Sequence, residues 1–406
     1  MAFENQPRVI HLAEELPSRE LLTDDEKDLL IHKYGKQLEI NPTFQSGCCE
    51  IRSRGYVGHL PVSKGFMVSI APKLPVSNIF GMLEYAYDLK SFELFKGQVG
   101  VETLNDLFEG LASILALRVL KRARKGLYCS YVEETEKLAV VRGRIRVADT
   151  LRSMVLGSAS LCCEYEEHTA DLDENRILLW TLFSLRKLHF TNLEFYKHVK
   201  RAYQALVGSI TLEEKNAADC FDRKYHRLND DYQPMHMLCG VFLEHLGPGL
   251  LAGEGRFLPF MLNMPELFEL FVVQWLKKHL NERIRVDESY SMTIDESRQK
   301  SEEALAKLKF KMDIVLRDKA TGQALAVVDT KYKADERPKP EDYFQIIAYA
   351  HVMNTPKAIL VYPSTATTPR KWQPQDIQII AMTFDISRKD LGGPAFLSEL
   401  NEVLGS

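Results

Sequence analysis

The sequence predicts a multidomain protein of the mixed α/β class, and three observations support this. The chain has 406 residues, which is more than one ordinary hydrophobic core accommodates. Residues 37–71 alternate apolar and polar side chains between Gly and Pro, as short strands do. Two apolar runs, 314–316 and 325–328, are typical of buried neighbouring strands. We therefore predict a β-rich N-terminal module (1–100), a mostly helical linking region (101–260) and a C-terminal α/β domain (261–406).

Hydrophobic spacing then predicts the individual elements in order. Helical periodicity is present at 24–34, 76–89, 104–125, 169–189 and 193–206, with one or two further helices in 225–246. Residues 128–147 are typical of a pair of strands. In the C-terminal domain, an apolar stripe predicts a helix that begins near Pro265, a residue suited to a first helical turn. A hairpin turn at 318–322 joins the two buried strands, and 342–350 predicts a last helix.

Composition excludes several classes of protein. The net charge is only −4, so the chain is not a polycation that coats nucleic acid, and DNA contacts must come from local patches or a partner. The seven cysteines have no C-x-x-C spacing, which indicates reduced thiols without a zinc site. The N-terminus does not resemble a signal peptide, so we expect a cytoplasmic protein. No G-x-x-x-x-G-K-[ST] motif is present, and the chain should not hydrolyse nucleotides itself.

Acidic residues flank the two buried strands of the C-terminal domain. Asp313 begins the first strand, and Asp329 ends the second, followed by one spacer and Lys331. Residues two apart in a strand share a face, so Asp329 and Lys331 project together. Asp313 and Asp329 could then converge on one divalent cation. The alternative is a surface hairpin with an exposed ion pair.

Two helices carry side chains that would complete such a site. Glu269, or Glu266 near the same face, offers a third carboxylate, and Gln345 lies one helical turn before Tyr349. Carboxylate oxygens select Mg²⁺ or Mn²⁺, which suit phosphodiester hydrolysis, and a lysine beside them can orient the attacking water. The alternative for Glu269 is an acid that is placed favourably near a helix N-terminus without a catalytic role. The alternative for Gln345 is an ordinary solvated helix residue.

The order of these motifs resembles the PD-(D/E)xK nuclease superfamily, whose core is a mixed sheet flanked by helices. Met312 stands where the superfamily name has proline. Further motifs resemble the McrC family, the nuclease subunit of the 5-methylcytosine-specific restriction system. These motifs are Ile70-Ala-Pro72-Lys-Leu-Pro, Val141-Arg142-Gly143-Arg144-Ile, Cys163-Glu-Tyr-Glu, Asp173-Glu-Asn175-Arg176 and Asp329-Thr-Lys331-Tyr332.

This resemblance implies a Mg²⁺-dependent DNA endonuclease, with Mn²⁺ as a substitute ion, that cleaves only within a modification-dependent restriction complex. Asp313, Asp329 and Glu269 would be the metal ligands, Lys331 would position water, and Gln345 would orient the site. The implied partner is a hexameric, McrB-like AAA+ GTPase that recognises methylated DNA and whose hydrolysis the N-terminal module stimulates on docking. The alternative function is a non-catalytic adaptor that activates an AAA+ partner and retains a nuclease-like fold.

Overall fold

The computed structural model describes most of the chain. The described residues are 8–63, 65–89, 103–157, 159–221, 223–245, 260–294, 308–333, 339–363, 370–374, 376–386 and 392–405.

The strands are β1 (Arg8–Ala13), β2 (Ser18–Leu21), β3 (Leu38–Pro42), β4 (Cys48–Ser53), β5 (Tyr56–Ser63), β6 (Phe66–Ala71), β7 (Ser130–Leu138), β8 (Arg144–Ile145), β9 (Leu161–Thr169), β10 (Met261–Asn263), β11 (Ile284–Ile294), β12 (Leu308–Asp318), β13 (Ala324–Thr330), β14 (Lys357–Tyr362), β15 (Arg370–Trp372) and β16 (Gln378–Thr383). The α-helices are α1 (Asp24–Tyr34), α2 (Val76–Ala86), α3 (Leu104–Lys125), α4 (Val147–Val155), α5 (Asp173–Arg186), α6 (Leu193–Leu206), α7 (Gln233–His245), α8 (Met264–His279), α9 (Pro340–Val352) and α10 (Gly393–Leu404). The spacing-based predictions of α1, α3 and α6 are confirmed to the residue.

The chain folds into two compact units. The first unit contains the described residues up to 107 and those from 260 onwards, and the second unit contains 108–245. The division predicted from the sequence set 1–100 apart from 261–406, whereas the structure places these two ranges in one unit. The N-terminal β-rich segment is therefore packed with the C-terminal strands and helices.

A six-stranded mixed sheet forms the C-terminal part of the first unit. Its strand order is β11-β12-β13-β14-β16-β15. The pairs β13–β14 and β14–β16 are parallel and the remaining pairs antiparallel. Strands β13 and β14 are almost wholly apolar and buried, as expected of parallel strands covered on both faces. The predicted mixed sheet flanked by helices is confirmed.

A second sheet ties the N-terminal segment to the chain after residue 260. Its order is β1-β6-β5-β10, so that β10 pairs with β5 from about two hundred residues away in sequence. Gly58 makes this pairing possible. Its φ is +123°, and a Cβ there would lie 2.0 Å from the carbonyl oxygen of Phe260.

Helix packing reinforces this connection. The ring of Tyr85 on α2 meets Phe271 on α8 edge to face at 5.8 Å between centroids. Asn78, also on α2 and buried, donates a hydrogen bond to the carbonyl of Ile386, just beyond β16. Apolar burial and a satisfied buried amide therefore join segments that lie 186 and 308 residues apart in the sequence.

We expect Gly58→Ala to destabilise the first unit by roughly 1–3 kcal/mol or more, because positive φ and a backbone clash act together. Chemical denaturation would measure the free energy of unfolding. Gly322→Ala is the matched control, since Gly322 has φ +72° but open space where an alanine methyl group would lie. Equal losses for the two variants would show that the contact with Phe260 is unimportant.

The second unit combines helices with a small antiparallel sheet. The predicted strand pair in 128–147 is present as β7 and β8, but the two strands pair with β9, which lies between them, and not with each other. Local propensity identifies strands without identifying their partners, which explains the error. The helix α4 that follows β8 leaves apolar side chains strongly exposed, namely Val147, Leu151 and Val155 at 63%, 57% and 87%, with Leu156 beyond them at 85%.

None of the helices in the described part of the chain is both long enough and apolar enough to span a membrane.

Candidate active site

The hairpin of β12 and β13 brings the two predicted aspartates together. Ile314 pairs with Val328 in the antiparallel ladder, so one step further along Asp313 faces Asp329. The backbone N–H and the hydroxyl of Thr330 donate to Asp313 Oδ2 at 2.9 and 3.1 Å. These hydrogen bonds fix one carboxylate oxygen of Asp313 and leave the other for a ligand.

Asp329 is a buried acid with little hydrogen bonding. It is 2% exposed, and its Oδ2 atom has no hydrogen-bond partner among the described residues, although Lys331 Nζ lies 2.7 Å away as an ion pair. Burial raises the pKa of Asp329 to about 6, with help from the charge of Asp313 and against the opposing effect of Lys331. A buried, incompletely satisfied carboxylate is costly, which marks this position as a candidate functional site.

Lys331 follows β13 and is surrounded by oxygen atoms. Its Nζ donates to Gln345 Oε1 at 3.0 Å and lies 3.9 Å from Asp342 Oδ1, in addition to the contact with Asp329. Burial lowers the pKa of Lys331, but the carboxylates, Asp329 foremost, outweigh burial and raise it. Lys331 therefore stays cationic beside the acids.

Glu269 reaches the same site from helix α8. Burial and, next in size, the nearby charge of Asp313 raise the pKa of Glu269 to about 7, against the opposing effect of Lys311. Three carboxylates thus share one half-buried region, where mutual repulsion is strong. The other candidate on this helix, Glu266, is exposed and accepts a hydrogen bond from Asn263 at 2.9 Å.

Gln345 lies in the first turns of α9, and both the oxygen and the nitrogen of its side-chain amide are hydrogen-bonded. Its Oε1 accepts from Lys331, and its Nε2 donates to Tyr349 Oη at 2.8 Å, the i, i+4 neighbour predicted from the sequence. Tyr349 belongs to the core between α9 and the sheet. Gln345 is exposed to solvent, as the alternative interpretation expected, and its amide is hydrogen-bonded at both the oxygen and the nitrogen.

The structure adds residues that sequence reasoning missed. Asp342, 4% exposed, forms an ion pair with Lys333 at 2.8 Å and lies near Lys331. Burial opposes ionisation of Asp342, but the hydrogen bond from Lys333 prevails and its pKa is lowered. The alternation Asp329-x-Lys331-x-Lys333 was the available signal, since three residues at a spacing of two share one strand face.

The residues fit a hard divalent cation with water ligands better than a closed metal cage. No group of three His, Cys, Asp or Glu side chains within the described ranges is arranged to hold an ion as it stands. Mg²⁺, however, is commonly bound by one or two carboxylates and keeps several waters. The all-oxygen donor set of Asp313, Asp329 and Glu269 agrees with that mode of binding.

Comparisons with known proteins agree with the motifs. The family model described as "McrBC 5-methylcytosine restriction system component" matches residues 51–363. The chain is 24% identical over 318 residues to "Type IV methyl-directed restriction enzyme EcoKMcrBC" of Escherichia coli (strain K12), which covers 73% of this chain and 88% of that relative.

A solved structure shows a related fold across nearly the whole molecule. It is a chain from the tetradecameric assembly of Thermococcus gammatolerans McrB AAA+ hexamers with bound McrC, with a TM-score of 0.59 and 18% identity. The match covers 97% of this chain and 100% of that chain. Because the family model spans well over half of the sequence, this protein belongs to the family of McrBC 5-methylcytosine restriction system components, as its motifs predicted.

Proposed function

We propose that this chain is the nuclease subunit of a modification-dependent restriction complex and cleaves DNA with the help of a divalent metal ion. The observation that carries the proposal is the proximity of three carboxylates and a half-buried lysine. Asp329 and Lys331 are in contact, Asp313 faces Asp329 across the hairpin, and the charge of Glu269 interacts with Asp313. An exposed surface ion pair, the alternative interpretation of the same residues, does not match a 2%-exposed aspartate.

In this proposal Asp313, Asp329 and Glu269 would hold Mg²⁺ or Mn²⁺. A bound ion of this kind polarises a phosphoryl group and lowers the pKa of its water ligand. The raised pKa values of Asp329 and Glu269 mean that both sites release protons when a cation binds, so affinity should increase with pH.

Lys331 would position the attacking water and offset negative charge that develops on the phosphate. Its ammonium group is held by Asp329 on one side and by Gln345 on the other. Asp342 forms its close ion pair with Lys333 and lies further from Lys331. Asp342 therefore limits the movement of the Lys331 ammonium group but does not draw this group out of the site.

The partner in our proposal is an AAA+ GTPase that recognises methylated DNA. One relative in the comparisons is a component of an assembly of McrB AAA+ hexamers with bound McrC. Helix α4 offers a suitable contact surface, because it exposes Leu151 and Val155 where a monomer would normally bury them. We propose α4 as a contact surface in addition to the N-terminal module, whose docking to the partner stays a prediction from the sequence.

Metal binding tests the proposal directly. We expect Mn²⁺ to raise the melting temperature of the full-length chain more at pH 8 than at pH 5.5, because carboxyls with pKa values of about 6 and 7 must lose protons first. Asp313→Asn should remove the Mn²⁺ effect. Glu288→Gln is the control, since Glu288 is an acid on neighbouring β11 that pairs with Lys277 at 2.7 Å. Equal Mn²⁺ effects in the Asp313→Asn variant and the parent would argue against these ligands.

The second candidate function is a non-catalytic adaptor of an AAA+ partner with a nuclease-like fold. The exposed apolar face of α4 is compatible with this function as well. The two functions differ in one result: an adaptor stimulates nucleotide hydrolysis by the partner, but it gives no Mg²⁺-dependent cleavage of methylated DNA.

A further inference from the structure

A buried glutamate of the N-terminal sheet lies outside every role assigned above. Glu14, 3% exposed, follows β1 and continues its parallel pairing through a hydrogen bond from its N–H to the carbonyl of Ala71 at 2.9 Å. Its Oε2 accepts from the backbone N–H of Lys73 at 3.0 Å, whereas Oε1 has no hydrogen bond in the described part of the structure. A carboxylate in such a place is costly unless its contacts serve a purpose.

The side-chain contacts of Glu14 and Lys73 lead to Tyr332. The Tyr332 hydroxyl makes a long contact of 3.5 Å with Glu14 Oε2, and the Lys73 ammonium lies 4.0 Å from the centre of the Tyr332 ring. A cation over a desolvated aromatic face contributes more than an exposed one. Tyr332 itself is 5% exposed, whereas the Lys73 side chain is 26% exposed and its ammonium also pairs with Glu15 at 2.9 Å.

Tyr332 is joined directly to two parts of the candidate active site. It is the residue after Lys331, and its ring packs at 5.9 Å from that of Phe268, the residue before Glu269. Its ring is thus held between the N-terminal sheet and helix α8. The ring therefore adjoins Lys331 in sequence and helix α8 in space.

The backbone at Lys331 is held by two hydrogen bonds, and its side-chain position also depends on its neighbours. Strand β13 ends at Thr330, after which the N–H of Lys331 donates to Val361 O at 2.8 Å and the N–H of Lys333 donates to Lys331 O at 3.0 Å. Catalytic side chains must be held to within roughly 0.5 Å, which requires neighbours that are themselves fixed by packing. The Tyr332 side chain is well placed to supply that fixation.

We propose that Tyr332 is a positioning residue for Lys331, and that Glu14 and Lys73 hold it in place, so that the N-terminal sheet is a structural part of the nuclease site. This inference rests on the proposed function for its catalytic consequence. The positional part, that Lys73 and Glu14 fix the location of the Lys331 ammonium group, can be tested without any cleavage.

The first test follows the Lys331 ammonium group by NMR in full-length protein labelled with ¹³C and ¹⁵N in lysine, with Lys331→Arg used for assignment. Tyr332→Phe removes only the hydroxyl, and Lys73→Met removes only the cation. We expect both to shift the Lys331 resonance and speed its proton exchange, and Lys73→Arg to restore it. Tyr34→Phe is the matched control, since it removes a buried hydroxyl of the same sheet region that donates to Pro61 O at 2.8 Å.

The second test measures cleavage by the complex of the full chain with its AAA+ partner. We expect Lys73→Met to lower kcat by on the order of tenfold, with KM for DNA unchanged, because a misplaced catalytic group loses rate and not binding. Mn²⁺ affinity should stay unchanged, because the carboxylates are intact. Lys73→Arg should recover the rate, and Tyr34→Phe should not affect it.

The outcomes separate this inference from the proposed function. An unshifted Lys331 resonance in Tyr332→Phe and Lys73→Met overturns the positioning role, whatever happens to cleavage. A shifted resonance with an unchanged kcat also overturns it. A shifted resonance in a protein whose parent form never cleaves DNA supports the positioning of Lys331 and refutes the nuclease function instead.

Discussion

Asp329→Asn is expected to abolish DNA cleavage and, at pH 8 without metal, to make the protein more stable. Removing a metal ligand and the charge that holds Lys331 should lower the rate by at least roughly 10²- to 10³-fold. Stability rises because the folded-state pKa of Asp329 is raised, to about 6, through burial and the charge of Asp313. The contribution of Asp329 to the free energy of unfolding is fully present below the pKa that this carboxyl has in the unfolded chain. It is lost as pH rises through about 6, the pKa in the folded protein.

The amide avoids that penalty, so we expect the free energy of unfolding to increase at pH 8. The gain should shrink towards zero at pH 4.5. Asp342→Asn is the matched control, and we expect it to lower the stability of the protein at pH 8. The pKa of Asp342 is lowered, so its ionised form stabilises the fold and this stabilisation is lost as pH falls. Thermal melts of both variants across this pH range would measure the effect. Loss of stability by Asp329→Asn at pH 8 would contradict the assignment of a strained, functional carboxylate.

Deleting residues 1–259 is expected to prevent folding of the remaining C-terminal part. The deletion removes β5, the hydrogen-bonding partner of β10, and exposes the face of α8 that α2 covers through Tyr85 and Phe271. It also removes the Asn78 side chain that satisfies the Ile386 carbonyl. Losing an apolar interface and leaving buried polar groups unpaired are among the most destabilising changes known for proteins.

Circular dichroism and cooperative unfolding of a fragment from residue 260 to 406 would measure this. We expect a poorly soluble fragment without a cooperative transition. A fragment that unfolds cooperatively and binds Mn²⁺ would show instead that the N-terminal segment is a separate module, as the sequence-based division into 1–100 and 261–406 implied.

Sequence reasoning succeeded where the signal is local. The hairpin with Asp313 and Asp329 follows from two apolar runs and a turn between them, and strand periodicity alone places Lys331 beside Asp329. Helices α3 and α6 have the boundaries that their spacing predicts. The geometry of the candidate site can therefore be predicted largely from short segments.

Sequence reasoning failed where distant segments meet. Strand β10 is three residues long and carries no pattern that identifies β5 as its partner. Glu14 lies 318 residues from Tyr332, and an isolated glutamate at the end of a short strand gives no sign of burial. Such pairings depend on the whole fold, because any edge strand offers the same backbone groups to any partner.

The arrangement of the first unit also has a consequence for how the protein is made. The chain leaves this unit after Leu107 and returns at Phe260. Strand β10 can therefore pair with β5 only after the intervening residues have been translated. At 5–20 residues per second this interval lasts roughly ten to thirty seconds. Every acid proposed as a metal ligand follows Phe260, yet the support for Lys331 includes Glu14 and Lys73, which emerge from the ribosome first. A growing chain therefore lacks every proposed metal ligand until the residues after Phe260 have been translated.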